Sequence, residues 1–431
     1  MKKFGTARHI HAISKTRASH STNIIQCPNL RRIRRRALQR KAIKEVRLGL
    51  CSQEELQKRV DAGTNVILKG KLWKISVGDD LMAKINVLIG ASHKKAYLSE
   101  VKKIETLSSL PYGPDIIQDL SLVRFDVPLY QRAMDIFGGP VGTLPTYISV
   151  DSKKGTIEPS LLLETIEEQA ENGVSFMSLH AAVSLENYEL AKKTRTVPIT
   201  SRGGGIVIRD MLAKGEKEGV VSKNFDKILK ILKKHGVVLS LGCSFRSASL
   251  KEWLDQVQQN EILLQGRYIQ AAKEADVPVM LESGGSHAPL SGLEKFKDKI
   301  KIHRVPIMPL GPLTTDSAIG ADHLAAAIGA SYLAHIGGAH VFASVSPQEH
   351  TGGVPCMESM IEGLKALVVA LHSVNVSRFP KYRELTDDKI AEEREKTCVV
   401  GGGLFGYDDK ESAREGCSRC DSCCPLTLKD N

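Results

Sequence analysis

The feature that most constrains this chain is an alternation that starts near residue 80. Short β-branched, apolar runs ending in Gly, Ser, Asn or His are followed, again and again, by longer amphipathic stretches. The runs are residues 83–90, 115–121, 140–147, 174–180, 197–203, 236–242, 277–282, 305–311 and 340–346. Helix candidates between them include residues 159–172, 225–235, 262–275 and 321–337. Strands separated by crossover helices run parallel, so the pattern predicts an α/β fold. Nine strand candidates are one more than a (β/α)8 barrel needs, and the pattern does not say which is surplus. A barrel over residues 81–375 is the expected architecture, with a doubly wound open sheet as the alternative.

The flanks read differently. Residues 1–50 hold 14 Lys and Arg against one acid, Glu45, which leaves 46 basic and 48 acidic groups in the rest. The net charge of +11 is therefore the property of an N-terminal arm, residues 1–40, and not of the body. Such an arm reads first as a solvated extension. Contact with nucleic acid or an anionic surface, or a transit sequence, are its other readings. Residues 41–80 form a mixed helical region in which Ser52 is the predicted N-cap of a helix. Residues 376–431 are charged and helical at first, then pass through a glycine-rich linker into a cysteine tail. No apolar run approaches the ~18–20 residues that span a bilayer. Nine cysteines, four of them clustered at one end, favour a reducing, cytoplasmic compartment over a secreted disulfide framework.

In a β/α barrel the active site lies at the C-terminal ends of the strands. Those ends here carry Asn86, Tyr147, His180, Ser201-Arg202-Gly203, Ser244 with Arg246, Glu282 with His287, and His350. Ser201-Arg-Gly-Gly-Gly205 is expected to follow a strand and open a helix, where backbone N–H groups and Arg202 suit a phosphate. The same glycines also suit a plain β–α turn. His287 and His350 lie on loops after different strands and together are placed to share a metal; singly, each reads as a structural or surface histidine. Asp322 opens an Ala-rich helix, where capping or the helix dipole explains it. Asp316 reads evenly as a cap or a ligand contact. His335 and His340 read as structural.

The tail Cys417-Ser-Arg-Cys420-Asp-Ser-Cys423-Cys424 packs four thiols into eight residues. Sulfurs at that spacing converge on one metal centre, either a structural zinc or an iron–sulfur cluster. Zinc usually takes two separated ligand pairs, and no second pair is nearby. Three cysteines would leave one iron open to a cofactor.

Together these residues resemble the phosphomethylpyrimidine synthase family, radical S-adenosylmethionine (SAM) enzymes of thiamine pyrimidine synthesis. The matching stretches include Asn86-Val-Leu-Ile-Gly90, Pro140-Val-Gly-Thr-Leu-Pro-Thr-Tyr147, Phe176-Met-Ser-Leu-His180, Ser201-Arg-Gly-Gly204, Leu310-Gly-Pro-Leu-Thr-Thr-Asp316, Ser346-Pro-Gln-Glu-His350 and the cysteine tail. The resemblance implies a homodimer of barrels whose C-terminal [4Fe-4S] segment reaches over the partner's site. It implies conversion of 5-aminoimidazole ribotide to the pyrimidine phosphate through SAM cleavage, with an electron donor such as ferredoxin or flavodoxin. Substrate contacts carried over are Asn86, Tyr147, His180, Ser201, Arg202, Gly203, Arg246 and Glu282, the last also catalytic. His287 and His350 would hold a divalent metal, zinc or iron, and Cys417, Cys420 and Cys424 the cluster.

The chain also departs from the family pattern at substrate-facing positions. Cys243 replaces an Asp, Gln118 a Met and Met308 a Tyr, and the loop from Glu282 to His287 is one residue longer. The cluster spacing C-x2-C-x4-C is compressed, and Cys424 is preferred to Cys423 as third ligand. A site built around hydrogen bonds to a substrate discriminates strongly, so these changes bear on substrate. The chain is expected to be the synthase itself or a paralogue that rearranges a similar ribotide, as in hydroxybenzimidazole synthesis. A zinc-bearing, nucleic-acid-associated protein is the remote alternative.

Overall fold

The computed structural model describes residues 43–151, 153–394, 401–406 and 420. The basic arm, and Cys417, Cys423 and Cys424, lie outside the described residues.

Three small elements precede the barrel, the first a one-turn helix at Lys44–Arg47. A helix at Gln53–Asp61 starts where the sequence places it. Ser52 Oγ accepts from Glu55 N–H, and the Glu55 carboxylate accepts from Ser52 N–H, which satisfies two donors the helix would leave orphaned. An antiparallel hairpin follows, β1 (Asn65–Lys69) and β2 (Lys74–Gly78).

Eight parallel strands then form one sheet. They are β3 (Lys84–Ile89), β4 (Ile116–Asp119) and β5 (Val141–Thr143), then, after a two-residue hairpin of β6 (Val150–Asp151) with β7 (Thr156–Ile157), β8 (Phe176–Leu179), β9 (Val238–Leu241), β10 (Val279–Ser283), β11 (Ile307–Pro309) and β12 (Val341–Ala343). The order is β11-β10-β9-β8-β5-β4-β3-β12, so first and last barrel strands pair, Val341 opposite Lys84. Nearly every residue in these strands is buried, as expected of strands with helices outside and side chains within. That continuous burial is why they read as apolar runs.

The closing seam between β11 and β12 depends on His340. Its N–H donates to Ile307 O at 2.9 Å, and its Nδ1 accepts from Ile307 N–H at 2.8 Å. With Nδ1 accepting, Nε2 carries the proton and donates to Asp79 Oδ1 at 2.9 Å. Lys301 meets the same carboxylate. Burial lowers the His340 pKa, so the neutral ring that the seam needs is the favoured form. The closed ring excludes the open-sheet alternative.

The surplus strand candidate is residues 197–203. It forms a loop that runs into the helix Arg202–Lys214, so Ser201-Arg-Gly-Gly-Gly205 follows a loop and not a strand. β8 therefore connects to β9 through several helices, and the loop is free to lay Ser201 over the barrel mouth. Tyr147 likewise sits in a short helix, Pro145–Ile148, rather than at a strand end.

Among the described residues one helix, Met357–Arg378, is long and apolar enough to cross a membrane. It packs along the helix Asp322–His335 on the barrel wall. Gly363 lets the same helix lie close over the segment that follows β12, since a Cβ there would lie 2.1 Å from Val345 O.

Candidate active site

A cavity of about 320 Å³ opens at the C-terminal ends of the barrel strands. Asn86, Gln118, Tyr147, His180, Ser201, Arg202, Arg246, Glu282 and Met308 all line it, joined by Cys243 and Glu349. Gly203 serves differently. A Cβ at that position would lie 2.1 Å from His180 Cε1, so the missing side chain lets the helix N-terminus close over the histidine.

One end of the cavity is built for an anion. Ser201 caps the 13-residue helix Arg202–Lys214, its Oγ accepting from Gly204 N–H at 3.2 Å. The positive end of the helix dipole faces the cavity with two guanidinium groups beside it. Arg202 lies over the Tyr147 ring, 5.6 Å from its centroid, and Arg246 reaches Thr200 O at 3.5 Å. Burial pushes the Tyr147 phenol up to about 12, which keeps it a neutral hydrogen-bond donor.

Arg246 is positioned from behind. Glu261, buried on the helix Gln256–Glu274, accepts from the Ser244 and Phe245 N–H groups and from the Cys243 thiol at 3.0 Å. The carboxylate thus ties the loop that carries Arg246 to the barrel wall. Burial, with Glu261 alongside, holds Cys243 as a thiol. The thiol hydrogen is committed to Glu261, and only a weak sulfur acceptor faces the cavity.

The floor is a chain of side-chain hydrogen bonds across four strands. Asn86 Nδ2 donates to Gln118 Oε1 at 2.8 Å, Gln118 Nε2 to Ser178 Oγ at 2.9 Å, and Ser178 Oγ to Glu282. Asn86 Oδ1 is buried with no partner, as is His180 Nδ1. Buried polar atoms are normally satisfied, so orphans lining a cavity mark where a ligand binds. Burial lowers the His180 pKa to about 3, with the Arg246 charge adding to it, so His180 is neutral. Desolvation raises the Glu282 pKa despite the bond from Ser178 and the nearby Arg246. A carboxyl so shifted takes up a proton more readily than a free one, which suits it to proton transfer.

A second cluster lies at the mouth. The His287 and His350 rings approach with centroids 5.0 Å apart. His287 Nδ1 bonds Asp316 at 2.7 Å, and His350 Nδ1 bonds Asp322 at 2.7 Å. A carboxylate on each Nδ1–H leaves the Nε2 lone pairs free, which is the arrangement that orients metal-ligating histidines. The donor set therefore fits a divalent metal. Ser247 holds the His287 backbone at both N–H and C=O.

This corrects the reading of Asp322 as a cap. The helix N-cap is Ala321, with no side-chain capping bond, and the Asp322 carboxylate points to His350 instead. Asp316 is resolved too: one oxygen holds His287 and the other accepts from Leu250 N–H. Glu261 and Ser178 carried no signal that singled them out. Ser178 was within reach only through strand parity, because it lies two residues before His180 and so on the same face. Of the cluster cysteines, Cys420 is described as an exposed turn residue.

A closed parallel β/α barrel with a polar, partly unsatisfied cavity at the C-terminal ends of its strands defines a barrel enzyme. The chain belongs to the Radical SAM ThiC family, whose sequence profile matches residues 30–430. Similar proteins include the phosphomethylpyrimidine synthase of Methanococcus vannielii, 32% identical over 399 residues (86% of this chain and 92% of that one). That of Ignicoccus hospitalis is 32% identical over 411 residues, covering 88% and 90%. That of Carboxydothermus hydrogenoformans is 34% identical over 341 residues, covering 76% and 78%. The chain is accordingly an enzyme of the phosphomethylpyrimidine synthase kind, and its family implies an iron–sulfur cluster and SAM.

Proposed function

We propose that this chain converts 5-aminoimidazole ribotide into 4-amino-5-hydroxymethyl-2-methylpyrimidine phosphate, as a radical SAM carbon–carbon lyase of thiamine synthesis in the cytoplasm. The observation that carries the reading is the cavity's polarity. It has an anion seat at the N-terminus of the helix Arg202–Lys214, with the orphaned His180 Nδ1 beneath it, and the orphaned Asn86 Oδ1 on the floor, which suits a phosphate joined to a nitrogen heterocycle. The phosphate would rest on the N-terminus of the helix Arg202–Lys214, between Ser201, Arg202 and Arg246, with Tyr147 donating alongside. The heterocycle would meet Asn86 Oδ1, His180 and Glu282, with Gln118 and Met308 forming the walls.

Cys417, Cys420 and Cys424 would hold a [4Fe-4S] cluster, and a divalent metal, zinc or iron, would sit on His287 and His350. When bound and reduced, the cluster with SAM supplies a 5′-deoxyadenosyl radical. The chain's own residues hold the substrate, keep water out of the barrel and move protons; Glu282 is the group whose surroundings fit that last task. Leu404 and Phe405 lie against Tyr112 and the N-terminal ends of β3 and β4, on the face opposite the cavity. The homodimer is proposed with this reaction, as the family resemblance implies. An electron donor such as ferredoxin or flavodoxin completes the system.

The substitutions at Gln118, Cys243 and Met308, all lining the cavity, favour a second reading, a paralogous rearrangement of a similar ribotide. Anaerobic reconstitution followed by reaction with 5-aminoimidazole ribotide and SAM separates the two. The pyrimidine phosphate is the expected product; a different rearrangement product supports the paralogue, and no turnover of this ribotide overturns the reading.

A further inference from the structure

The anion seat is assembled from two loops that no strand pairing holds together. Ser201 and Arg202 come from the segment after the helix Leu185–Thr194, which lies outside the sheet, and Arg246 comes from the loop after β9. Two guanidinium groups lining one cavity also repel each other, which works against a closed seat. What joins the loops is a buried charged side chain sent from each onto the other. Glu252 lies on the Arg246 side and is buried. Its Oε1 accepts from Thr196 N–H at 3.0 Å and from Val197 N–H at 3.2 Å, and its Oε2 accepts from Ala248 N–H at 3.1 Å. Arg195, also buried, reaches the other way. It donates to Asp255 from Nε at 2.8 Å and from Nη2 at 2.7 Å, and to the Arg246 carbonyl from Nη1 at 3.2 Å. The Thr196 and Val197 N–H groups, which a strand would have paired with a neighbour, are thus satisfied by a side chain.

We propose that Glu252 and Arg195 are positioning residues of the anion seat, clamping the loop of Ser201 and Arg202 to the loop of Arg246 so that a bound phosphate meets both at once. The chemistry at 252 is specific. A bridge between two sets of N–H donors needs two accepting oxygens. Glutamine has only one, and its NH2 turned to the other side sets donor against donor. Position 195 is as demanding, because the planar fork of arginine reaches Asp255 and the Arg246 carbonyl together, and the point charge of lysine does not reproduce that geometry. Neither residue lines the cavity, so both act through the groups they hold and not on the ligand. Their contribution is preorganisation: two loops ordered in advance remove that ordering cost from the binding step. Arg246 then has two supports, Glu261 under its loop and Arg195 on its carbonyl.

Titration of the full chain with inorganic phosphate, followed by phosphorus NMR, tests the clamp without reference to the substrate. Arg246→Ala locates the signal, which it should largely remove. Glu252→Gln and Arg195→Lys should each weaken phosphate binding about tenfold, the worth of one charge-assisted hydrogen bond. Urea unfolding shows that each variant is folded, and the two probe the clamp from opposite ends. A second arm rests on the proposed substrate. 5-Aminoimidazole ribotide should lose the same factor in both variants, whereas its phosphate-free riboside should bind them as it binds the unaltered chain. Equal losses for ribotide and riboside would mean a general loosening of the barrel mouth and would overturn the proposal. So would unchanged phosphate affinity in the folded variants, or failure of both variants to fold, which would make the clamp a stability element only. An unaltered chain that takes no phosphate overturns the seat and the clamp together. If phosphate behaves as expected and the ribotide does not bind, the substrate reading fails and the clamp stands.

Discussion

Two buried histidines divide this barrel into a part that holds itself together and a part that waits for a ligand. His340 at the seam uses both ring nitrogens, one accepting from Ile307 N–H and the other donating to Asp79. His180 at the mouth uses one, towards Ser201 Oγ at 3.2 Å, and leaves Nδ1 buried and unpartnered. Burial lowers the pKa of both. Burial and a shifted pKa thus fail to tell a structural histidine from a functional one, whereas the count of satisfied nitrogens separates them.

The sharpest way to break that comparison is to remove both rings. His340→Leu strips the acceptor from Ile307 N–H and leaves the Asp79 carboxylate to Lys301 alone, a loss of about 2–3 kcal/mol. His180→Gln should stay within about 1 kcal/mol of the parent, because no partner is stranded except the Ser201 hydroxyl. It should nonetheless weaken ribotide binding at least tenfold. Urea unfolding and calorimetry read the two effects, and an equal loss of stability in both variants would remove the distinction.

The mouth metal site gives the next largest effect. Asp316→Asn and Asp322→Asn keep the size of each side chain but weaken its hold on His287 or His350. Zinc affinity, measured by competition with a chelator, should fall about 10- to 100-fold in each. Unchanged affinity would mean that the two carboxylates only brace the loops.

The pH dependence follows from His180. Its folded pKa, about 3, lies below the unfolded value of about 6.5, so the unfolded chain binds more protons between these limits. The stability its neutral form contributes is complete above about pH 6.5 and is lost as pH falls towards 3. His180→Gln should flatten the urea midpoint between about pH 6.5 and 5 by one proton's worth of slope. The smallest effect is expected from Ser247→Ala, which removes the hydroxyl that brackets the His287 backbone. It should cost about 1 kcal/mol and leave the seam untouched.

The expectations that held were those set by local periodicity. Helices at Pro159–Glu171 and Phe225–His235 begin and end within a residue of their predicted limits, because amphipathic spacing and glycine or proline at the ends are local properties. The polar strand ends were legible because C-terminal strand ends converge in any such barrel. The run at 197–203 misled for a related reason. Val197, Ile199 and Thr200 have strand-like composition, but pairing needs a free edge, and β8 and β9 already fill each other's. Asp322 was misread because a first-turn acid has a sufficient local explanation, and its true partner lies 28 residues away.

By itself, then, the sequence determined the alternating architecture, the charge of the arm, the thiol-rich tail and the list of side chains able to reach the barrel mouth. Each follows from residues close together in the chain. Only the tertiary structure decided which of those side chains touch. Asn86 meets Gln118 across 32 residues, Gln118 meets Ser178 across 60, and Ser178 meets Glu282 across 104. A hydrogen bond acts over about 3 Å. Spacings that large become contacts only when the strands close into a ring, and the seam at His340 is what closes it.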